Sequence, residues 1–286
     1  MESWYLFSLA ALLLLGSQRF LYKVAAERGC NSALTSAIFM ATVTVLSGLS
    51  YLSGNIKELN TTSLITWSLI NSSSFACATI FNIEALKRLP ASVTFPLTRT
   101  TIILVTLCSL VYFDEILRPF QWIGLLTAIG VVAILLSEIK YDSKGSQQSI
   151  GLAFVTAAIA CSAVSSISCK FAAVETNKAA FMTLTYLLAT IFSLLINKRW
   201  KQKVTPPHAI VPTLIIGLAM GGLNFVGFYA LLSAMETGPL SAIITITGMQ
   251  FIIAILLAVM IYHEKLSSKR ILAIILALAT VVLMKQ

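Results

Sequence analysis

Apolar residues in this chain come in long runs separated by short polar stretches. Ten runs are candidates to cross a bilayer, at residues 4–24, 32–53, 63–86, 91–113, 119–138, 150–172, 178–197, 209–232, 239–262 and 268–284. A helix needs about 20 mostly apolar residues to do so. The connections are punctuated by Gly29, Gly54-Asn55, Pro119, Pro206-Pro207 and Gly238-Pro239. The longest, Lys140 to Ser149, falls at the midpoint and leaves five runs on each side. The pattern predicts an all-α membrane protein of ten transmembrane helices, divided into residues 1–145 and 146–286.

The two parts are related. Pro90 to Leu117 aligns without a gap on Pro239 to Leu266: Pro90 falls on Pro239, Ser92 on Ser241, Thr98 on Thr247, Glu115 on Glu264 and Leu117 on Leu266. Each copy is a turn, an apolar helix and an acid at the exit. The first helices correspond more loosely, through Lys23-Val24-Ala25-Ala26 and Lys170-Phe171-Ala172-Ala173. A repeat with an odd number of crossings begins its second copy on the opposite side of the membrane. Two inverted five-helix repeats are therefore expected, an arrangement found in secondary transporters. Glu115 and Glu264 would then lie at opposite faces.

Composition agrees with lipid as the solvent. The 286 residues are 58% hydrophobic and 11% charged, whereas soluble domains carry about a quarter charged residues. The first run follows Glu2, not a basic segment, and has no small-residue cleavage site, so it reads as a retained span. Five cysteines are an odd number and lie mostly in apolar segments, which suits packing better than a disulfide framework. The net charge of +9 is mostly loop charge. Thirteen basic residues follow odd-numbered spans and four follow even-numbered spans or lie at the termini. The positive-inside rule then puts both termini outside.

Charged and amide side chains within the spans are the candidate site. Intramembrane charges are costly and face a bundle interior or a wet cavity. Arg99 lies about 13 Å into the fourth span at 1.5 Å per residue, beside a kink expected from Pro96. Glu84 on the third span is at comparable depth. It is expected either to pair with Arg99 as a charged floor of the cavity or to pair with Arg88 one turn away. Arg19 either faces the cavity or reaches the interface with Lys23, and Lys170 is expected at the interface. Asn71, Ser74, Ala78 and Asn82 share one helix face, as do Gly217, Gly221, Asn224 and Phe228, and Ser162, Ser165 and Cys169. Most of these positions suit close helix packing. Asn82, Asn224 and Gln250 are large enough to need hydrogen-bond partners and are expected to line a cavity, with Thr98 at the level of Arg99.

No catalytic constellation is present. His208 and His263 have no neighbours at metal-ligand spacing, and no phosphate-binding Gly-rich loop occurs. The sequence thus points away from an enzyme and implies no metal, cofactor or nucleic-acid partner.

The motifs ALKRLPAS (85–92), VYFDEIL (111–117) with GLLTAIGVVAILL (124–136), and IYHEKL (261–266) with the closing ILAIILALATVVL resemble the drug/metabolite transporter superfamily, specifically the EamA-type ten-helix carriers. The resemblance covers the whole chain. It implies alternating access around a central cavity lined by the first, third and fourth helices of each half, with Arg99 and Gln250 at substrate-reading levels. Small four-helix relatives carry an acid on the first helix, where this chain offers Gln18, Arg19 and Tyr22. That departure weakens a cation-antiport reading. The expected cargo is a small polar metabolite, an amino acid or organic anion, with a proton or another ion as a potential coupling partner. The alternatives are export of cationic or aromatic compounds, or a non-transporting receptor or assembly partner. A prokaryotic inner (plasma) membrane is the expected location. Many ten-helix relatives keep their termini in the cytoplasm, opposite to the charge count.

Overall fold

The computed structural model describes residues 3–54, 60–86, 88–89, 94, 97–137, 146–199, 207–263 and 267–285. Pro90, Ser92, Pro96 and Glu264 lie outside the described residues, and with them the expected Pro96 kink and the second exit acid. Among the described residues every regular element is an α-helix. This is the outcome that lipid imposes, because backbone N–H and C=O groups must be satisfied within the segment.

The helices are α1 (Ser3–Glu27), α2 (Ser32–Ser53), α3 (Thr61–Leu86), α4 (Thr101–Tyr112), α5 (Pro119–Ser137), α6 (Ser146–Glu175), α7 (Lys178–Arg199), α8 (Pro207–Thr237), α9 (Leu240–Gly248), α10 (Phe251–Tyr262) and α11 (Ser268–Leu283). Asparagines start three of them. Asn31 Oδ1 accepts from Leu34 N, Asn60 Oδ1 from Ser63 N, and Asn177 Oδ1 from both Ala179 N and Ala180 N. Ser267 Oγ caps α11 by accepting from Arg270 N at 3.2 Å. Such caps satisfy amides that the first helical turn leaves without partners.

Among the described residues seven segments have the length and apolarity to cross a membrane, the broken segment Leu240–Tyr262 included. Shorter apolar helices cover Thr101–Tyr112 and Lys178–Phe192. With α9 and α10 taken as one crossing, the elements follow the ten apolar runs in order. The outer surface is apolar: Val111 is 82% exposed, Met260 71% and Ile116 92%. A soluble protein does not present such surfaces to water over so many helices.

Two spans are interrupted at polar positions within their apolar runs. The ninth breaks into α9 and α10 at Met249–Gln250, and the fourth breaks at Arg99–Thr100, just before α4. Both exits turn through a non-glycine residue in the left-handed region, Asp114 (φ 47°) and His263 (φ 52°), each immediately before the repeat glutamate.

Helix packing obeys an exchange of the two halves. Helix α1 packs on α8 as α3 packs on α6, α2 packs on α8 as α3 packs on α7, and α2–α7, α4–α9 and α5–α11 pair with their own counterparts. Small residues permit these approaches. A Cβ on Gly217 would meet Ile38 at 2.8 Å, one on Gly221 Thr42 at 2.4 Å, and one on Gly227 Leu14 at 3.0 Å. The core follows α8 and α9, where Met220, Leu232, Met235, Leu240, Ile243 and Ile246 are buried.

Candidate functional site

Between the halves lies a cavity of about 390 Å³. Helix α1 contributes Leu15, Gln18, Arg19 and Tyr22; α2 contributes Phe39 and Met40; α3 contributes Asn71, Ser72 and Phe75. From the second half come Ser165, Ser166 and Cys169 of α6, Thr185, Tyr186 and Ala189 of α7, and Asn224, Phe228, Leu231 and Met235 of α8. Ile244 and Gln250, on α9 and at its break, complete the wall. None of these residues is acidic.

The wall carries the repeat in its side chains. At the sequence interval that takes Lys23 to Lys170, Gln18 corresponds to Ser165, Arg19 to Ser166, Tyr22 to Cys169 and Phe39 to Tyr186. A second constant interval relates Asn71 to Asn224 and Phe75 to Phe228. The asparagines do equivalent work, each joining the third helix of one half to the first helix of the other. Asn224 Nδ2 donates to Gln18 Oε1 at 3.1 Å. Asn71 Nδ2 donates among Ser165 O (2.8 Å), Ser165 Oγ (3.1 Å), Ser168 Oγ (2.9 Å) and Cys169 Sγ (3.1 Å). Tyr186 extends the first contact by donating its hydroxyl to Asn224 Oδ1.

Arg19 is the cavity's charge. Its side chain is exposed to the cavity and has neither a hydrogen bond nor an ion pair among the described residues. Gly16, one turn earlier, lets α1 lie against the break in the ninth span: a Cβ there would be 2.7 Å from the Gln250 carbonyl oxygen.

Only some of the other expected site residues reach the cavity. Gln18, Tyr22, Asn224 and Gln250 line it with Arg19, whereas Arg99, Thr98, Asn82 and Glu84 do not. Arg99 sits at the break before α4, half-buried, and lines a crevice of about 20 Å³ with Ile102, Ile103, Ala128, Ile129 and Val132. It has no hydrogen bond or ion pair among the described residues. The expected Glu84–Arg99 pair does not form. Glu84 Oε2 accepts from Arg88 Nη1 at 2.8 Å, since a partner four residues on, in the turn that follows α3, costs less ordering than one across a hairpin. Thr98 is the last helical residue before the break, its carbonyl accepting from Thr101 Oγ1 at 2.7 Å. Asn82 keeps its side-chain oxygen buried without a hydrogen-bond partner among the described residues. Lys170 Nζ donates to Met235 O at 2.6 Å and Gly238 O at 2.7 Å, carbonyls that the end of α8 leaves free.

Helix usage also differs from expectation. The second helix of each half, through Phe39, Met40, Thr185, Tyr186 and Ala189, lines the cavity, and α4 does not. Asn71, Ser165 and Cys169 had a visible signal, their helical spacing, but that spacing equally describes helix packing.

A model of the EamA-like transporter family matches this sequence twice, over residues 2–137 and 149–285. The chain belongs to the EamA-like transporter family. It is thus a multi-pass membrane protein of a transporter family, not an enzyme family, with a small molecule as its substrate. A solved crystal structure shares the fold at a TM-score of 0.80 and 17% identity, covering 99% of this chain and 98% of the other. A search of curated proteins gave no match. In this EamA-like protein the two matched stretches each supply wall residues, so the duplication and the cavity are parts of one design.

Proposed function

We propose that the protein is a secondary transporter that carries a small organic anion or amino acid across the membrane by alternating access. The observation that carries this reading is Arg19: a guanidinium without a counter-ion among the described residues, open to a cavity of about 390 Å³ that both halves build without an acid. A charge at such depth is costly alone and is relieved by an anionic ligand held through charge-assisted hydrogen bonds. Tyr22, Phe39, Phe75, Tyr186 and Phe228 offer ring surfaces to an apolar or aromatic body on the same ligand. The cation-export alternative finds no support in this wall, since no carboxylate lines it among the described residues. Coupling to a proton or another ion, and residence in a prokaryotic inner membrane, complete the proposal.

Flux into proteoliposomes tests it. Purified protein is expected to move a subset of small organic acids, and Arg19→Gln to abolish that movement while the variant remains folded. Flux of cations instead, or no flux of any solute, would reject the reading, the latter in favour of a receptor or assembly role.

A further inference from the structure

We infer that the ligand carries two negative charges, one met by Arg19 and the other by Arg99. The inference rests on the anion-transport reading and narrows its substrate class. Among the described residues Arg99 has no acceptor and no carboxylate, so no such contact must break for its side chain to turn from the α4–α5 crevice toward the cavity. The neighbouring backbone brings the two regions together. Gly16 on α1 abuts the Gln250 carbonyl, and a Cβ on Gly248 would lie 2.5 Å from Ile102, one turn beyond Arg99.

Both spans tighten into a turn here without leaving a helical course, Ile102 N donating to Arg99 O at 3.1 Å and Ile252 N to Met249 O at 3.0 Å. Two guanidiniums therefore raise the local potential, and no acid among the described cavity or crevice residues offsets it. A monoanion would leave one arginine uncompensated in a medium where like charges repel strongly. A dicarboxylate or phosphate monoester would satisfy both.

The test compares ligands matched in body and different in charge: benzoate with benzene-1,3-dicarboxylate and phenyl phosphate, and butyrate with succinate. Binding to the full-length protein in detergent is measured at pH 8 by titration calorimetry and thermal shift. In at least one series the dianion is expected to bind about tenfold or more tightly than its monoanion, the scale of one added charge-assisted contact. Arg99→Gln is expected to bring that ratio near unity, Arg99→Lys to restore part of it, and Arg19→Gln to weaken both members. Equal binding of monoanion and dianion by the wild-type protein would overturn the inference and leave the transport reading standing. So would an Arg99→Gln variant that keeps the ratio. Binding of no anion at all would overturn both.

Discussion

Lys170 and Glu115 hold the two sides of a single helix junction. Lys170 Nζ donates to the carbonyls of Met235 and Gly238 at the end of α8. Glu115 accepts from Leu240 N (2.5 Å), Ser241 N (3.1 Å) and Ser241 Oγ (2.6 Å) at the start of α9. A cation thus sits at a helix C-terminus and an anion at the next N-terminus, each opposite the helix dipole it complements. Glu115 comes from the exit of α4, so its contact also joins the halves.

Removal of either partner leaves polar groups without bonds. Lys170→Met and Glu115→Ala are each expected to cost about 1–3 kcal/mol, the range for unsatisfied buried groups. Thermal unfolding in one detergent checks this, and unchanged midpoints in both variants would take the junction out of any account of stability.

Two adjacent glycines offer a controlled comparison. A Cβ at Gly221 would lie 2.4 Å from Thr42 Cβ, whereas one at Gly222 would have nothing within 4 Å. Gly221→Ala is therefore expected to destabilise by about 1–3 kcal/mol through overpacking. Gly222→Ala should be neutral, or stabilising by about 0.5–1 kcal/mol through helix propensity. Equal effects of the two substitutions would contradict the α2–α8 packing.

Tyr186→Phe removes the hydroxyl that Asn224 Oδ1 accepts while keeping the ring. The cost is expected near ~1 kcal/mol in stability. Gln18, held by the other end of the same amide, should become less well positioned, so a rise in KM exceeding any fall in kcat is the expected kinetic signature. Flux assays over a range of solute concentrations separate the two.

Glu84→Gln should be nearly silent. The Glu84–Arg88 pair is an i,i+4 pair at partial exposure, worth about 0.3–0.5 kcal/mol. Solute flux is expected to stay within about twofold of wild type, as for changes away from buried networks. A large loss of flux would return Glu84 to the site.

The number and order of spans were legible because lipid imposes one rule, a sustained apolar run, on each of them. The relation between halves was legible through Pro239, Ser241 and Lys170, whose counterparts stand at fixed intervals. The breaks at Arg99–Thr100 and Met249–Gln250 were not, although Thr98-Arg99-Thr100-Thr101 and Thr247-Gly248 with Gln250 are polar there, because a polar stretch within a span equally suits the wall of a cavity on an unbroken helix. Nor could spacing assign Asn71 to a cavity wall, since a residue on an inward helix face lies against a neighbour or an opening according to how the helices are rotated. Lys170 shows the same limit: spacing placed it near a span end, but only the fold supplies the α8 carbonyls that it meets.

The cavity's two walls match in shape but not in charge. Where α1 presents Arg19, α6 presents Ser166 at the corresponding position. Duplication alone would give a chamber that a solute could occupy head-first or tail-first with equal ease. This one has a polarity of its own, so an asymmetric molecule within it has a preferred way round, fixed by which half it faces and not by the side from which it came.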